Sequence, residues 1–83
     1  MLQAYVVIEC EPGKPKWVAR ELEGLNSHGC VSVVSVDAVM GPWDEIVKLE
    51  GPDVDSIETF VVNVIGRLNG IAQTQTMMSI QAA

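Results

Sequence analysis

Hydrophobic and polar positions alternate from the start of the chain, with Leu2, Ala4, Val6 and Ile8 on one side and Gln3, Tyr5, Val7 and Glu9 on the other. A period of two marks a strand. Glu11-Pro12-Gly13 closes it, and Pro15 fits the first turn of a helix, where a missing N–H costs nothing. Trp17, Val18, Leu22 and Leu25 then recur at helical spacing, which predicts an amphipathic helix with one buried stripe. Asn26-Ser27-His28-Gly29 reads as a loop. The valine-rich run from Val31 to Val39 predicts a second strand, because β-branched side chains suit a pleated surface. Gly41-Pro42 breaks it, and Ile46 to Glu50 resumes as a third strand with Val47 and Leu49 on one face, ended by Gly51-Pro52. Asp53 or Asp55 can cap the next helix, whose stripe of Ile57, Phe60, Val61, Val64, Ile65 and Leu68 runs on to a stop at Gly70. Gln73 to Ile80 completes the order as a last strand, with Thr74, Thr76, Met78 and Ile80 on one side.

The order β-α-β-β-α-β predicts an α+β, ferredoxin-like domain over residues 1–83: an antiparallel sheet with both helices on one face. Two helices cover one face only, whereas Val31 and Val33 on one side and Val34, Val36 and Met40 on the other leave the second strand apolar on both. Tyr5, Val7, Ile46 and some of Met77 and Met78 add to the uncovered side. Such a patch exceeds what soluble monomers usually expose. Burying ~500 Å2 of it is worth roughly 10 kcal/mol gross at about 25 cal/mol per Å2. A second copy laid sheet to sheet is the expected cover.

Composition narrows the function. Eighty-three residues make one domain, and eleven acids against five bases give a net charge of −6, which argues against direct nucleic-acid binding through phosphates. Lys14, Lys16 and Arg20 read as a solvated helix face. No signal peptide, transmembrane run or lipidation motif is visible, so the expectation is a cytoplasmic protein with no membrane partner. Cys10 and Cys30 fall at opposite ends of their strands, so no intrachain bridge is expected. The single His28 and two separated cysteines have no zinc spacing, and no nucleophile motif or phosphate loop is present. No catalytic residue, metal or cofactor is expected, and the chain is not expected to be an enzyme.

The turn Gly41-Pro42-Trp43-Asp44 carries the most chemistry. Backbone N–H groups at a glycine-bearing sheet end suit an anion, Asp44 suits an ammonium, and Trp43 offers an apolar wall, a combination fitted to an α-amino acid. The plain alternative is only a turn. Thr74 and Thr76 add hydroxyls, or serve strand packing alone.

The order Ala4-Tyr5-Val6-Val7-Ile8, Glu11-Pro12-Gly13, an amphipathic helix, Gly41-Pro42-Trp43-Asp44 with Ile46-Val47-Lys48-Leu49-Glu50, and Gly70-Ile71 before Thr74-Gln75-Thr76 resembles the effector-binding domain of the Lrp/AsnC regulators, also called the regulation-of-amino-acid-metabolism domain. The resemblance spans nearly the whole chain. It implies dimers packed sheet to sheet (a dimeric α/β barrel), rings of octamer or decamer type built from them, and an amino acid effector bound between dimers near the turn. Residue by residue it carries over Gly41, Trp43, Asp44, Thr74 and Thr76 as the ligand-binding positions. Two departures stand out. The helix-turn-helix domain usual in the family does not precede the first strand, so the chain resembles a stand-alone form acting through self-assembly or association with full-length regulators. Glu45 replaces the hydrophobic residue common after the aspartate. The rival readings are a small-monooxygenase-like dimeric α/β barrel enzyme and a ligand-free assembly module.

Overall fold

A computed structural model describes residues 1–25 and 27–80, and of Ser27 and His28 the backbone only. The elements follow as β1 (Leu2–Cys10), α1 (Pro15–Glu23), β2 (Ser27–His28), β3 (Val31–Ala38), β4 (Glu45–Gly51), α2 (Val54–Asn63), a single 3₁₀ turn (Ile65–Arg67) and β5 (Ile71–Met78). They form one antiparallel sheet in the order β2-β3-β4-β1-β5. Apart from the two-residue β2, this is the ferredoxin-like arrangement of four strands and two helices.

Alternation decides which side of each strand is buried. Ala4, Val6, Ile8 and Cys10 of β1 meet Val47 and Leu49 of β4 beneath Val18 and Leu22 of α1 and Ile57, Phe60 and Val61 of α2, and this cluster is the core. Each aliphatic side chain so enclosed contributes about 1.5–3 kcal/mol relative to exposure. Pro15 stands at the start of α1, as its fixed φ favours. Asp53, not Asp55, caps α2, its Oδ1 accepting the Ser56 N–H at 2.7 Å.

Several expectations are corrected. Trp17 does not join the buried stripe of α1 and stays about half exposed (49%), leaving Val18 and Leu22 to carry the contact. The stripe from Ile57 to Leu68 persists, but not on one helix. α2 ends at Asn63 and the chain tightens into the 3₁₀ turn around Gly66, whose lack of a side chain weakens an α-helix by about 1 kcal/mol relative to alanine. The segment after α1 is not wholly loop: Ser27–His28 pairs with Ser32 and Val31 across a two-residue turn at Gly29, where φ is +65°. Asn26 lies outside the described residues. The last strand starts two residues early, at Ile71, where the Glu11 N–H donates to the Gly70 carbonyl at 2.7 Å.

The uncovered face differs most. Between Val33 and Ser35 the register of β3 against β4 shifts by a bulge, so Val33 opposes Leu49 and Val36 opposes Val47. Val36 therefore packs on the core instead of the open side, and of the two methionines Met78 packs on the core while Met77 faces the open side. Met40 stands fully exposed beyond the end of β3. Opposite the helices the register places Tyr5, Val7, Ile46 and Met77, interleaved with polar residues that include Gln3, Ser35, Asp37, Lys48, Glu50 and Gln75. Lys48 Nζ lies 5.8 Å from the Tyr5 ring centre, and the Gln3 Nε2 amide donates to Glu50 Oε2 at 3.0 Å.

Candidate functional site

The chain from Ala38 to Glu45 turns at one end of the sheet and is fastened to the end of β1. Gly41 has φ +148°, open to glycine and strained for other residues, so the chain can reverse before Pro42. The turn is then held by backbone: the Val39 N–H donates to the Asp44 carbonyl at 2.9 Å, and the Asp44 N–H donates to the Ile8 carbonyl at 2.8 Å. The Asp44 side chain adds a third tie, since its Oδ2 accepts the Cys10 N–H at 2.8 Å. Gly41 and Pro42 are exposed, while Trp43 and Asp44 are half-buried. One carboxylate oxygen thus anchors the turn at the sheet end.

Thr74 and Thr76 do not join this group within one copy. They pair with Ile8 and Val6 on the far side of β1, which separates them from the turn and from β4. Both are half-buried, on the side of the sheet that carries the helices.

Two neighbours of the turn were not among the expected site residues. Glu45 is wholly enclosed, the single charged residue among the buried ones described. Cys10 Sγ–H donates to its Oε2 at 3.3 Å, while Oε1 is buried and meets no hydrogen-bonding partner among the described residues. Burial pushes the Glu45 carboxyl above the usual carboxylate range, with the charges of Asp44 and Glu23 acting in the same direction and the thiol hydrogen bond opposing them. Burial, then the bond and charge of Glu45, push the Cys10 thiol up to about 12. The signal for both lay in the alternation: Glu45 shares a face with Val47 and Leu49, and Cys10 shares one with Val6 and Ile8.

Among the described residues no group of three or more His, Cys, Asp or Glu is placed to hold a metal ion. No described helix is long and apolar enough to cross a membrane. A cavity of about 370 Å3 opens at the other end of the sheet, between α2 and the turn at Gly29, lined by Cys30, Ser56, Thr59 and Asn63 among others.

Residues 3–83 match the family model described as the Lrp/AsnC ligand binding domain. No curated protein matches the chain. Among solved structures, a protein of Thermus thermophilus superposes with a TM-score of 0.85 at 24% identity, over 100% of this chain and 98% of that one. A hypothetical protein of Pyrococcus horikoshii gives 0.78 at 26% identity, over 99% and 93%. A transcriptional regulator of Neisseria meningitidis, solved as a complex with L-Met, gives 0.77 at 17% identity, covering 96% of this chain and 50% of the regulator.

Proposed function

The chain belongs to the Lrp/AsnC ligand-binding domain family, and on that premise we propose that it senses a small molecule, an amino acid, and couples its binding to self-assembly. The observation that carries this reading is the turn itself. Asp44 is fixed to β1 through its backbone and one carboxylate oxygen, which supports a role for its second oxygen, with Gly41 and Trp43 of the same turn, in holding a ligand. A carboxylate near an ammonium forms a charge-assisted hydrogen bond, and a fixed turn spares the ordering cost of binding. The L-Met complex of the Neisseria regulator supports the choice of an amino acid.

Because β1 separates Thr74 and Thr76 from the turn, a site containing all five residues takes its threonines from a neighbouring copy. Binding then favours the assembled state by linkage, since only that state offers complete walls. The output is regulatory, exerted through self-assembly or by association with full-length regulators, and involves neither catalysis nor direct contact with nucleic acid.

A thermal-shift screen of the twenty amino acids, followed by native mass measurement on each hit, tests this. At least one amino acid should raise the melting temperature and shift the mass distribution upward, and Trp43→Ala should remove both effects. Turnover of an aromatic substrate, or a mass distribution indifferent to every amino acid, would favour one of the rival readings instead.

A further inference from the structure

Glu45 is an acid for which the described residues show no opposite charge. It opens β4, opposite Ile8 of β1 and Ala38 of β3, with its side chain closed off from solvent. The ionisable groups that weigh on it come from three elements: Cys10 of β1, Asp44 of the turn and Glu23 of α1, all of them acids. The basic residues nearest in sequence to Glu23 are exposed, Lys14 just before α1 and Lys16 and Arg20 on it. Asp37 of β3 pairs with Ile46 and so lies on the opposite face. Ionised, Glu45 would place a charge in the core with one oxygen bonded only by a thiol and the other bonded by nothing described. Neutral, it needs no counter-charge.

The same few atoms hold the turn. Cys10 donates its N–H to Asp44 Oδ2 and its thiol to Glu45 Oε2, so consecutive residues of the turn and β4 grip one residue of β1. We propose that Glu45 is a positioning residue that makes docking of the 39–44 turn proton-linked: the turn is latched onto β1 while the carboxyl is neutral, and loosens when the proton leaves. Opening the turn lets Glu45 reach water and titrate as an ordinary carboxylic acid, so closing it takes up one proton. The population of the open turn then rises with pH, approaching about tenfold per unit between the ordinary carboxylate range and the value Glu45 holds when docked. The latch is read from the fold alone and stands or falls whether or not an amino acid binds.

Amide hydrogen exchange on the full chain tests it, from about pH 5 to about pH 8, with rates divided by the intrinsic rate at each pH. The probes are the N–H groups of Cys10, Asp44 and Val39, which make the three ties. They should lose protection with rising pH at a slope near one, and exchange faster than ladder amides in the middle of β1 and β4. In Glu45→Gln the slope should vanish while the ties remain. Should that variant not fold, the Glu45 carboxyl carbon, followed by NMR in the wild-type chain, still decides: its midpoint should lie above the ordinary range, at the pH where the rise in exchange at the three amides levels off. A midpoint near pH 4.5, the ordinary value, overturns the proposal. So does a pH slope unchanged in Glu45→Gln, or turn amides that exchange only with the whole core.

Discussion

At the scale of single residues, two adjacent acids have opposite duties. Asp44 is half-buried and one of its oxygens is used by the Cys10 N–H, so removing the carboxylate touches the fold as well as any ligand. Asp44→Ala should lower stability by about 1–2 kcal/mol, the cost of leaving a partly buried N–H unpaired, whereas Asp44→Asn keeps an acceptor and most of the stability. Chemical denaturation of the pair checks this, and Asp44→Asn is therefore the cleaner probe of ammonium binding. Glu45 behaves in the reverse sense. Its docked pKa is raised, so the folded chain holds a proton that the unfolded chain releases, and its unfavourable contribution grows as pH rises above the ordinary value. Glu45→Met, which keeps the volume and removes the charge, should be more stable than wild type by about 1–3 kcal/mol near neutral pH. That gap should close toward pH 4, where the acid is neutral in both states, as denaturation midpoints at the two pH values would show. Asp53 has the opposite sign, its pKa lowered by the Ser56 N–H, so the stability from that cap is lost in acid. The turn and its aspartate were legible in the sequence because Gly-Pro and a following acid break a strand visibly. Glu45 was noticed there as a departure, but its enclosure depends on what the helices place above it, which no pattern along one strand states.

At the scale of elements, close approach replaces propensity as the deciding term. Gly51 ends β4 directly under α2: a Cβ there would lie 2.9 Å from Ile57 Cγ1 and 3.3 Å from Val31 Cγ2. Gly51→Ala should therefore cost about 1–3 kcal/mol, the usual penalty for overpacking a closed core. The penalty should shrink in an Ile57→Ala background, which lacks the clashing Cγ1. Thermal unfolding of the single and double variants gives the comparison. The sequence marked Gly51-Pro52 only as a strand stop; the need for glycine arises from a helix that crosses it. The same distinction explains the other differences. Element order followed from period-two and period-3.6 patterns that the tertiary fold preserves. The bulge at Val33–Ser35 did not, since a run of valines on both sides of the shift looks alike in either register. Trp17 misled because helical spacing places it beside Val18, and two residues suffice to fill the space α1 covers.

At the scale of the whole molecule, the proposed assembly turns on the side of the sheet opposite the helices. Strands of about eight residues at ~3.3 Å rise, four abreast at ~4.8 Å, span roughly 500 Å2 per copy, or about 1,000 Å2 for a pair. That is the low end for a specific interface. The bulge lowers its apolar content further by turning Val36 inward, leaving Tyr5, Val7, Ile46 and Met77 among Gln3, Lys48 and Glu50. A face so composed fits a reversible association rather than an obligate one, as the proposed ligand-responsive assembly requires. Half-buried Ile46 sits near the middle of this surface, with Val7 beside it on β1. Ile46→Glu should leave the core intact, because the side chain points away from the helices, yet place an unpaired charge at the centre of the contact. Sedimentation at about 10 μM should then show wild type as a dimer or larger and the variant as a folded monomer, a shift needing only a few kcal/mol against a micromolar dissociation constant. Wild type sedimenting as a monomer under those conditions would leave no neighbouring copy of any kind to complete the proposed site with Thr74 and Thr76. The effector site would then be reduced to the turn alone.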